Sequence, residues 1–351
     1  MPLRDFKVRG CRSSPRDDLL CRSRRLGRGI GWSILLPMEK ILIFGARGYL
    51  GVAFREVYPE AMCPGTDIAD AHAIVDVLDR EKPDIVMNVA GKTGRPNIDW
   101  CETHKEETLC SNLTGPLILL EECRKRGIYW VHMSSGCIYE GVGPTDSLPH
   151  GGMAGERGST IGFTEEDSPN FFGSFYSRVK GWCDQILREF TDTVDGRGGI
   201  LILRLRMPFD GSLNERNLLM KLRKYAKVLD VQNSITYLPD FLEAAKILID
   251  RRRTGIFNIV NPGIISPYEI MMMQWKMQCH QNLTMTPCEP RRATLPERLT
   301  LADLSSVVRA ARSNCILSTE KLQREGITLP DVHERVEEAF HSISLVAGEL
   351  A

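Results

Sequence analysis

The stretch Lys40-Ile41-Leu42-Ile43-Phe44-Gly45-Ala46-Arg47-Gly48-Tyr49-Leu50-Gly51 decides the fold. Ile41 to Phe44 is a short, wholly apolar run, which suits a strand covered on both faces, as in a parallel sheet. Gly45, Gly48 and Gly51 follow, and the residues from Tyr49 to Val57 then read as a helix. Glycine lets the backbone turn sharply here. It also lets an anionic group approach the helix N-terminus, where free N–H groups and the dipole favour negative charge. Strand, glycine turn and helix in this order open a dinucleotide-binding unit.

Outward from this unit, strands and helices alternate. A weak second strand precedes the loop Cys63-Pro64-Gly65-Thr66-Asp67-Ile68. A helix is expected from Asp70 to Glu81, with Asp70 as N-cap and Ala71, Ile74, Val75 and Leu78 on one face. Asp84 to Asn88 reads as a buried strand ending in Val89-Ala90-Gly91. A helix from about Glu106 to Arg126 then leads to a strand from Tyr129 to Met133. Tyr176 to Phe190 is a helix and Gly199 to Arg206 a strand, which Met207-Pro208 ends. Such alternation defines an α/β chain with a doubly wound parallel sheet of the Rossmann kind.

After Pro208 the pattern becomes mixed, with helices at Leu218–Tyr225, Asp240–Ile249 and Pro267–Cys279 and a strand at Gly255–Val260. The expected organisation is a dinucleotide-binding domain over 38–207 and a smaller mixed substrate-binding lobe over 208–351, with some strands returning to the main sheet. Residues 141–170 are rich in Gly, Pro, Ser and Thr and read as a long surface loop, of the kind that is usually functional or disordered. Residues 1–37 carry many arginines and no helical or strand period. They suit an artefactual or disordered extension with Met38 as the working start. Asp5, Asp17 and Asp18 count against the alternative, an import signal.

Composition narrows the function. Lys and Arg total 45 against 45 Asp and Glu, a balance that argues against a dedicated nucleic-acid binder. No apolar run is long enough to span a membrane. The 11 cysteines show neither a CxxC pair nor zinc spacing, so no metal is expected and they read as reduced thiols of a cytoplasmic protein.

Tyr176 and Lys180 are one helical turn apart and face the same way. An ammonium beside a phenol favours the phenolate, and so does an oxidised nicotinamide. This is the tuning that proton transfer to a new alkoxide requires. Ser135, at the end of the preceding strand, can donate to the same carbonyl oxygen. Asn112 is placed either to hold a water in the proton path or to cap its helix. Around Ala61-Met62-Cys63-Pro64-Gly65 there is no acidic residue for a ribose 2′-hydroxyl, whereas Arg47 can pair with a 2′-phosphate, so NADP (NADPH) is the expected cofactor. Its expected contacts are Gly45, Arg47, Gly48, Tyr49 and Leu50 of the turn, Asp67 and Ile68 near the adenine, and Asn88 and Ala90 at the next strand end, together with Tyr176 and Lys180.

With these residues in hand, the chain resembles the extended short-chain dehydrogenase/reductase superfamily. Within it, it is similar to the dTDP-4-dehydrorhamnose reductases and, more closely, to the bifunctional UDP-4-keto-6-deoxyglucose 3,5-epimerase/4-reductases, or UDP-rhamnose synthases. The likeness rests on Thr93-Gly94-Arg95-Pro96-Asn97-Ile98-Asp99-Trp100-Cys101-Glu102, Gly136-Cys137-Ile138-Tyr139-Glu140, Gly173-Ser174-Phe175-Tyr176-Ser177, Leu205-Arg206-Met207-Pro208, Asn214-Glu215-Arg216-Asn217 and Arg312-Ser313-Asn314. By this resemblance Ser135, Tyr176 and Lys180 are the reductase residues and Cys137 and Lys221 the epimerisation pair. Arg95, Asn97, Asn217, Asn233 and Arg312 are implied to hold the substrate, a nucleotide sugar. The family's homodimers are the assembly it suggests. Two further readings stay open: a 4-keto reductase alone, and a non-catalytic regulatory subunit of S-adenosylmethionine synthase, against which the intact Ser135, Tyr176 and Lys180 speak. The loop between Tyr139 and Phe163 is longer than in the plant enzymes.

Overall fold

The computed structural model describes residues 39–143, 162–191, 198–284 and 295–349. The arginine-rich extension and residues 144–161 of the Gly-rich loop lie outside the described residues. The first half of the chain runs β1 (Ile41–Phe44), α1 (Tyr49–Val57), α2 (Ala71–Glu81), β2 (Ile85–Asn88), α3 (Trp100–Thr103), α4 (Lys105–Leu109), a π turn (Cys110–Thr114), α5 (Gly115–Arg126), β3 (Tyr129–Ser135), a 3-10 turn (Gly136–Ile138), α6 (Phe175–Arg188) and β4 (Ile200–Leu205). The second half runs β5 (Pro208–Phe209), α7 (Leu218–Leu222), β6 (Lys227–Leu229), β7 (Thr236–Tyr237), α8 (Leu238–Asp250), β8 (Gly255–Asn258), α9 (Pro267–Thr284), β9 (Glu297–Leu299), α10 (Leu301–Val307), α11 (Glu320–Arg324) and α12 (Val332–Glu349).

The main sheet has five strands in the order β1-β2-β3-β4-β8. All its pairs are parallel, and Phe44, Asn88 and His132 stand side by side across three of the strands. The weak second strand is reduced to a bridge between Met62 and Leu42 on the far side of β1. Pro64, two residues on, has no N–H with which to continue that ladder. The chain therefore leaves β1 toward Met62 and comes back on its other side to form β2. The gap beyond the carboxyl ends of β1 and β2 is thus a topological switch point, where open α/β sheets bind ligands.

Alternate residues of each strand supply the two faces. Ile43, Met87, Val131 and Leu203 join Phe54 of α1 and Phe241 and Leu248 of α8 in one buried cluster. Leu42, Val86, Trp130 and Ile202 join Ile74 and Leu78 of α2, Leu119 of α5 and Leu187 of α6 in the other. Asp70 caps α2, its carboxylate accepting from Ala73 N at 3.1 Å. The buried face of that helix is Ile74, Val77 and Leu78, not the expected set with Ala71, which is exposed. A third cluster, centred on Phe209, Leu219, Ile235, Ile270, Val336 and Phe340, forms the smaller core beyond β4. Helix α12, absent from the sequence reading, gives it Val332, Val336, Ala339, Phe340 and Ile343, a stripe at helical spacing. Strand β8 returns from this half to pair with β4, Leu203 lying opposite Phe257.

Among the described residues, one ion pair lies wholly inside. Arg204 of β4 and Asp184 of α6 are both 0% exposed at the side chain. Arg204 Nε donates to Asp184 Oδ2 at 3.0 Å and Nη2 to Oδ1 at 2.5 Å, while Ser134 Oγ of β3 donates to Oδ2 at 2.8 Å. Burial alone would raise the Asp184 carboxyl, but Arg204 and Ser134 outweigh it and hold it below its ordinary value. Its contribution to stability is then full above the unfolded-state pKa, about 3.9, and is lost as pH falls below it through the folded value. Asp184→Ala leaves the Arg204 charge unpaired and is expected to cost about 3–5 kcal/mol, read from urea unfolding at neutral pH.

Candidate active site

Helix α6 begins where Ser174 accepts a hydrogen bond from Ser177 N at 3.0 Å, an N-cap, and where Phe175 N donates to Glu102 at 2.6 Å. From this fixed start Tyr176, Lys180 and Asp184 recur every four residues on one face. Lys180 Nζ donates to the Met133 carbonyl of β3 at 3.1 Å, which together with the Asp184–Arg204 pair locks the helix against the sheet. Tyr176 and Lys180 are both buried, as is Ser135, whose Oγ accepts from Cys137 N at 3.1 Å and so shapes the 3-10 turn.

A cavity of about 380 Å³ opens at the switch point. One wall is the glycine turn and start of α1, with Gly48, Tyr49 and Leu50, continued by Val89, Ala90 and Gly91 beyond β2. The floor carries Ser135, Cys137, Tyr176 and Lys180, and the far wall Arg216 and Lys221. Gly45 has a φ of +84°, and a Cβ there would stand 2.4 Å from Ala90 N; one on Gly51 would stand 2.2 Å from the Gly45 carbonyl oxygen. Any side chain at either position would break the turn. Helix α1 has no side-chain cap and no acid in its first turn, so its leading N–H groups, at the Gly48–Leu50 wall, are not taken by a capping side chain.

Burial dominates the electrostatics of the floor. Burial raises the Tyr176 phenol, the Cys137 thiol adds to this, and the Ser135 hydrogen bond only partly offsets them. Burial lowers Lys180, whose ammonium is turned to Met133 O. The phenol is thus held protonated rather than drawn toward phenolate, because desolvation disfavours its charged form. Lys221, on α7, is lowered by burial and then by the nearby Arg216, with Cys137 acting the other way. Cys137 is half-buried and accepts from Arg206 Nη1 at 3.5 Å. Asn112 sits in the π turn in mid-run, not at a cap. Its amide donates to the Lys92 and Thr108 carbonyls at 2.9 Å each, and the residue lines the cavity. Single-turn π bulges of this kind are frequent at functional sites.

Not every expected residue reaches the cavity. Arg47 is exposed at the tip of the turn. Ile68 is core, filling the space left by Gly115, and Asp67 closes its own loop through Ala69 N at 3.0 Å. Asn88 lies behind the wall, 3.1 Å from His132 Nδ1, and accepts from Ala90 N at 3.1 Å, so it shapes the wall without lining it. Arg95 is exposed beyond the far wall, and Asn97 accepts from Asp99 N at 2.9 Å. Asn217 is fully buried and caps α7, accepting from Leu219 N at 3.1 Å and donating to Asp210 O and Ser212 O at 2.8 Å each. Asn233 is buried between Arg206, Cys315 and Asn314. Arg312 pairs with Asp99 at 2.8 Å. The side chains of Asn217, Asn233 and Arg312 are thus bonded within the protein and do not line the cavity.

Sequence reasoning missed Arg216 as a wall residue, although it quoted the run Asn214-Glu215-Arg216-Asn217. Its Nη1 donates to the Gly94 carbonyl at 2.9 Å and to Thr93 Oγ1 at 3.2 Å, tying the two ends of the far wall together. Asp184 was missed too. Its signal was available, since it stands four residues after Lys180 on the same helix.

Comparison with known proteins agrees with this architecture. The chain belongs to the family of the RmlD substrate binding domain, whose model matches residues 38–344. It is 35% identical over 298 residues to the bifunctional dTDP-4-dehydrorhamnose 3,5-epimerase/dTDP-4-dehydrorhamnose reductase of Arabidopsis thaliana, covering 84% of this chain and 89% of the relative. It also matches a longer trifunctional Arabidopsis protein, of which it spans 41%. The crystal structure of the UDP-rhamnose synthase of Acanthamoeba polyphaga mimivirus superposes with a TM-score of 0.72 at 30% identity, covering 87% of this chain and 99% of that one. A Bacillus anthracis dTDP-4-dehydrorhamnose reductase in complex with NADP, 20% identical, shares the fold with a TM-score of 0.64, covering 86% and 97% of the two chains. No helix among the described residues is long and apolar enough to cross a membrane.

Because Asn217 both caps α7 and stitches it to the Asp210–Ser212 turn, Asn217→Ala is expected to cost about 1–2 kcal/mol. Amide hydrogen exchange should then rise locally over 218–222, loosening the turn that carries Lys221.

Proposed function

We propose that this chain binds NADPH and converts a UDP- or dTDP-linked 4-keto-6-deoxyglucose to the nucleotide-linked L-rhamnose, inverting C3 and C5 and then reducing C4. The observation that carries the reading is the cavity in which the start of α1 faces Ser135, Tyr176 and Lys180 from one side and Cys137 and Lys221 border the rest. The names of its relatives point to the same chemistry.

The residues present fit a dinucleotide. The cradle at Gly45 and Gly51 admits no side chain, and the uncapped N-terminus of α1 suits a pyrophosphate. Arg47 at the exposed tip suits a ribose 2′-phosphate, and residues 61–65 hold no acid of the kind that would bond a free 2′-hydroxyl. When bound, NADPH supplies the hydride for C4.

The chain supplies the protons and holds the sugar. Tyr176, kept neutral by burial, gives its proton to the C4 oxygen, and the Ser135 hydroxyl shares that oxygen. The proton transfer leaves a phenolate, which the Lys180 ammonium one turn along α6 would stabilise until a proton from water restores the phenol. Before reduction, the 4-keto group acidifies the C–H bonds at C3 and C5. Removing one of these protons moves the C–H electron pair into an enolate, whose oxygen Ser135 and Tyr176 can hold. A proton returned to the other face completes the inversion. Cys137 and Lys221 are the acceptor and donor for this exchange, and each turnover leaves one with an extra proton and the other without, so contact with water resets them.

The test is direct. Incubated with UDP-4-keto-6-deoxyglucose in heavy water without NADPH, the protein should place deuterium at C3 and C5, seen by NMR; no incorporation leaves a reductase alone. With NADPH the product should be UDP-L-rhamnose, and its absence overturns the reductase assignment as well. Cys137→Ala should stop the exchange yet still reduce a keto-sugar already inverted. Tyr176→Phe should lower kcat for reduction by about 10²–10⁴. For the cofactor, Arg47→Ala should raise KM for NADPH and leave that for NADH unchanged.

A further inference from the structure

Two arginines lie two residues apart at the end of β4, and each is buried to 1% exposure or less. Arg204 has a carboxylate, Asp184. Among the described residues, Arg206 has none as a hydrogen-bond partner. Its Nη1 donates to Ser313 Oγ at 2.9 Å and to Cys137 Sγ at 3.5 Å; its Nη2 donates to Ser313 O at 2.6 Å and to Asn233 Oδ1 at 2.5 Å. A buried guanidinium without a counter-charge is costly. Of these hydrogen-bond partners, only the Cys137 sulfur can take up a negative charge, and Cys315 is the other thiol within its electrostatic reach.

The backbone arranges this meeting. Strands β3 and β4 stay in register to Ser135 opposite Leu205, so the next residues, Gly136 and Arg206, are neighbours. A Cβ on Gly136 would stand 3.6 Å from Arg206 Cβ, and Cys137 follows at once in the 3-10 turn. On the other strand Met207 adopts a left-handed φ of 41°, a strained geometry for a side chain of this size. The strain falls between Arg206 and the cavity wall to which Met207 itself belongs. The other ionisable groups around Cys137 are Lys221 across the cavity, Lys180 and Tyr176 on α6, and Cys315. Cys315 Sγ donates to the Gly136 carbonyl at 3.3 Å, so its own hydrogen is engaged elsewhere.

We propose that Arg206 is the positioning residue of the epimerisation pair: its guanidinium is the fixed counter-charge of the deprotonated Cys137 sulfur, which makes Cys137 the proton acceptor and Lys221 the donor. This rests on the epimerase reading above. The sulfur takes the proton from C3 or C5 and forms an S–H bond. The C–H electrons pass into the enolate, and the Lys221 ammonium gives the proton that makes the new C–H bond. Arg206 neither gains nor loses a proton and does not touch the sugar.

Thiol alkylation tests this without reference to turnover. With iodoacetamide near neutral pH, followed by mass spectrometry of the Cys137 and Cys63 peptides, half-buried Cys137 should react about tenfold faster than exposed Cys63 in the wild-type protein, since the thiolate is the nucleophile. Arg206→Met should remove that advantage, and Arg206→Lys, which keeps the charge, should retain most of it. Deuterium uptake at C3 and C5 should fall in parallel. Wild-type Cys137 reacting no faster than Cys63 overturns the proposal. So does an Arg206→Met protein that still reduces keto-sugar and keeps the wild-type Cys137 rate. Should Arg206→Met fail to fold, the wild-type ratio and Arg206→Lys decide. Failure of the wild type to exchange deuterium would remove the epimerase reading, while the alkylation ratio would still decide whether Arg206 acts on the sulfur.

Discussion

The buried contact between Arg204 and Asp184 is the constraint from which the site's geometry follows. It joins the fourth strand to the helix that carries Tyr176 and Lys180, and Ser134 adds the third strand to the same carboxylate. Since Asp184 is one turn beyond Lys180 and two beyond Tyr176, fixing it fixes the rotation of the whole helix. A shift of one residue would turn the face by about 100° and take Lys180 off the Met133 carbonyl. Charged groups inside a protein are weak evidence for stability but can specify one arrangement over others. Here the specified arrangement is the placing of Tyr176 and Lys180 at the floor of one cavity.

That cavity is charged in an unusual sense. Lys180, Lys221 and Arg216 border it, and among the described lining residues there is no carboxylate. Burial weakens the hold of both lysines on their protons and strengthens that of Tyr176. All three therefore lean toward their neutral forms before any ligand enters. A doubly charged diphosphate would change the balance by favouring the cationic forms of the lysines. Substrate entry and the protonation state of the walls are thus thermodynamically linked.

What could be read from the sequence was what is local. The run from Lys40 to Gly51 and the Tyr176–Lys180 spacing involve neighbours in the chain, and strand, turn and helix follow from them directly. The alternation of elements gave the doubly wound sheet. The substrate assignments of Asn217, Asn233 and Arg312 rested on resemblance, and their actual bonds run to Asp210, Arg206 and Asp99, partners whose proximity only the fold creates. Ile68 shows the same limit, since its burial depends on the gap left by Gly115. At Tyr176 a helical spacing reveals the neighbouring lysine but not the loss of water around both. Arg206 stood in a quoted motif, yet its meaning depends on a β3–β4 register that no one-dimensional pattern displays.

The last strand of the main sheet, Gly255–Asn258, arrives only after the chain has built most of the smaller core's first half. As the polypeptide emerges from the ribosome, β4 must wait for about fifty residues with one edge open. An unpaired edge is a template for association with other strands. Asn258 seals the arrangement, its backbone N–H and its amide bonding to Glu165 and Phe163. The half that carries the glycine turn is consequently not a self-sufficient module: a truncated product ending before Gly255 would lack its edge strand and be exposed to aggregation, so the two halves of this chain are bound to mature together.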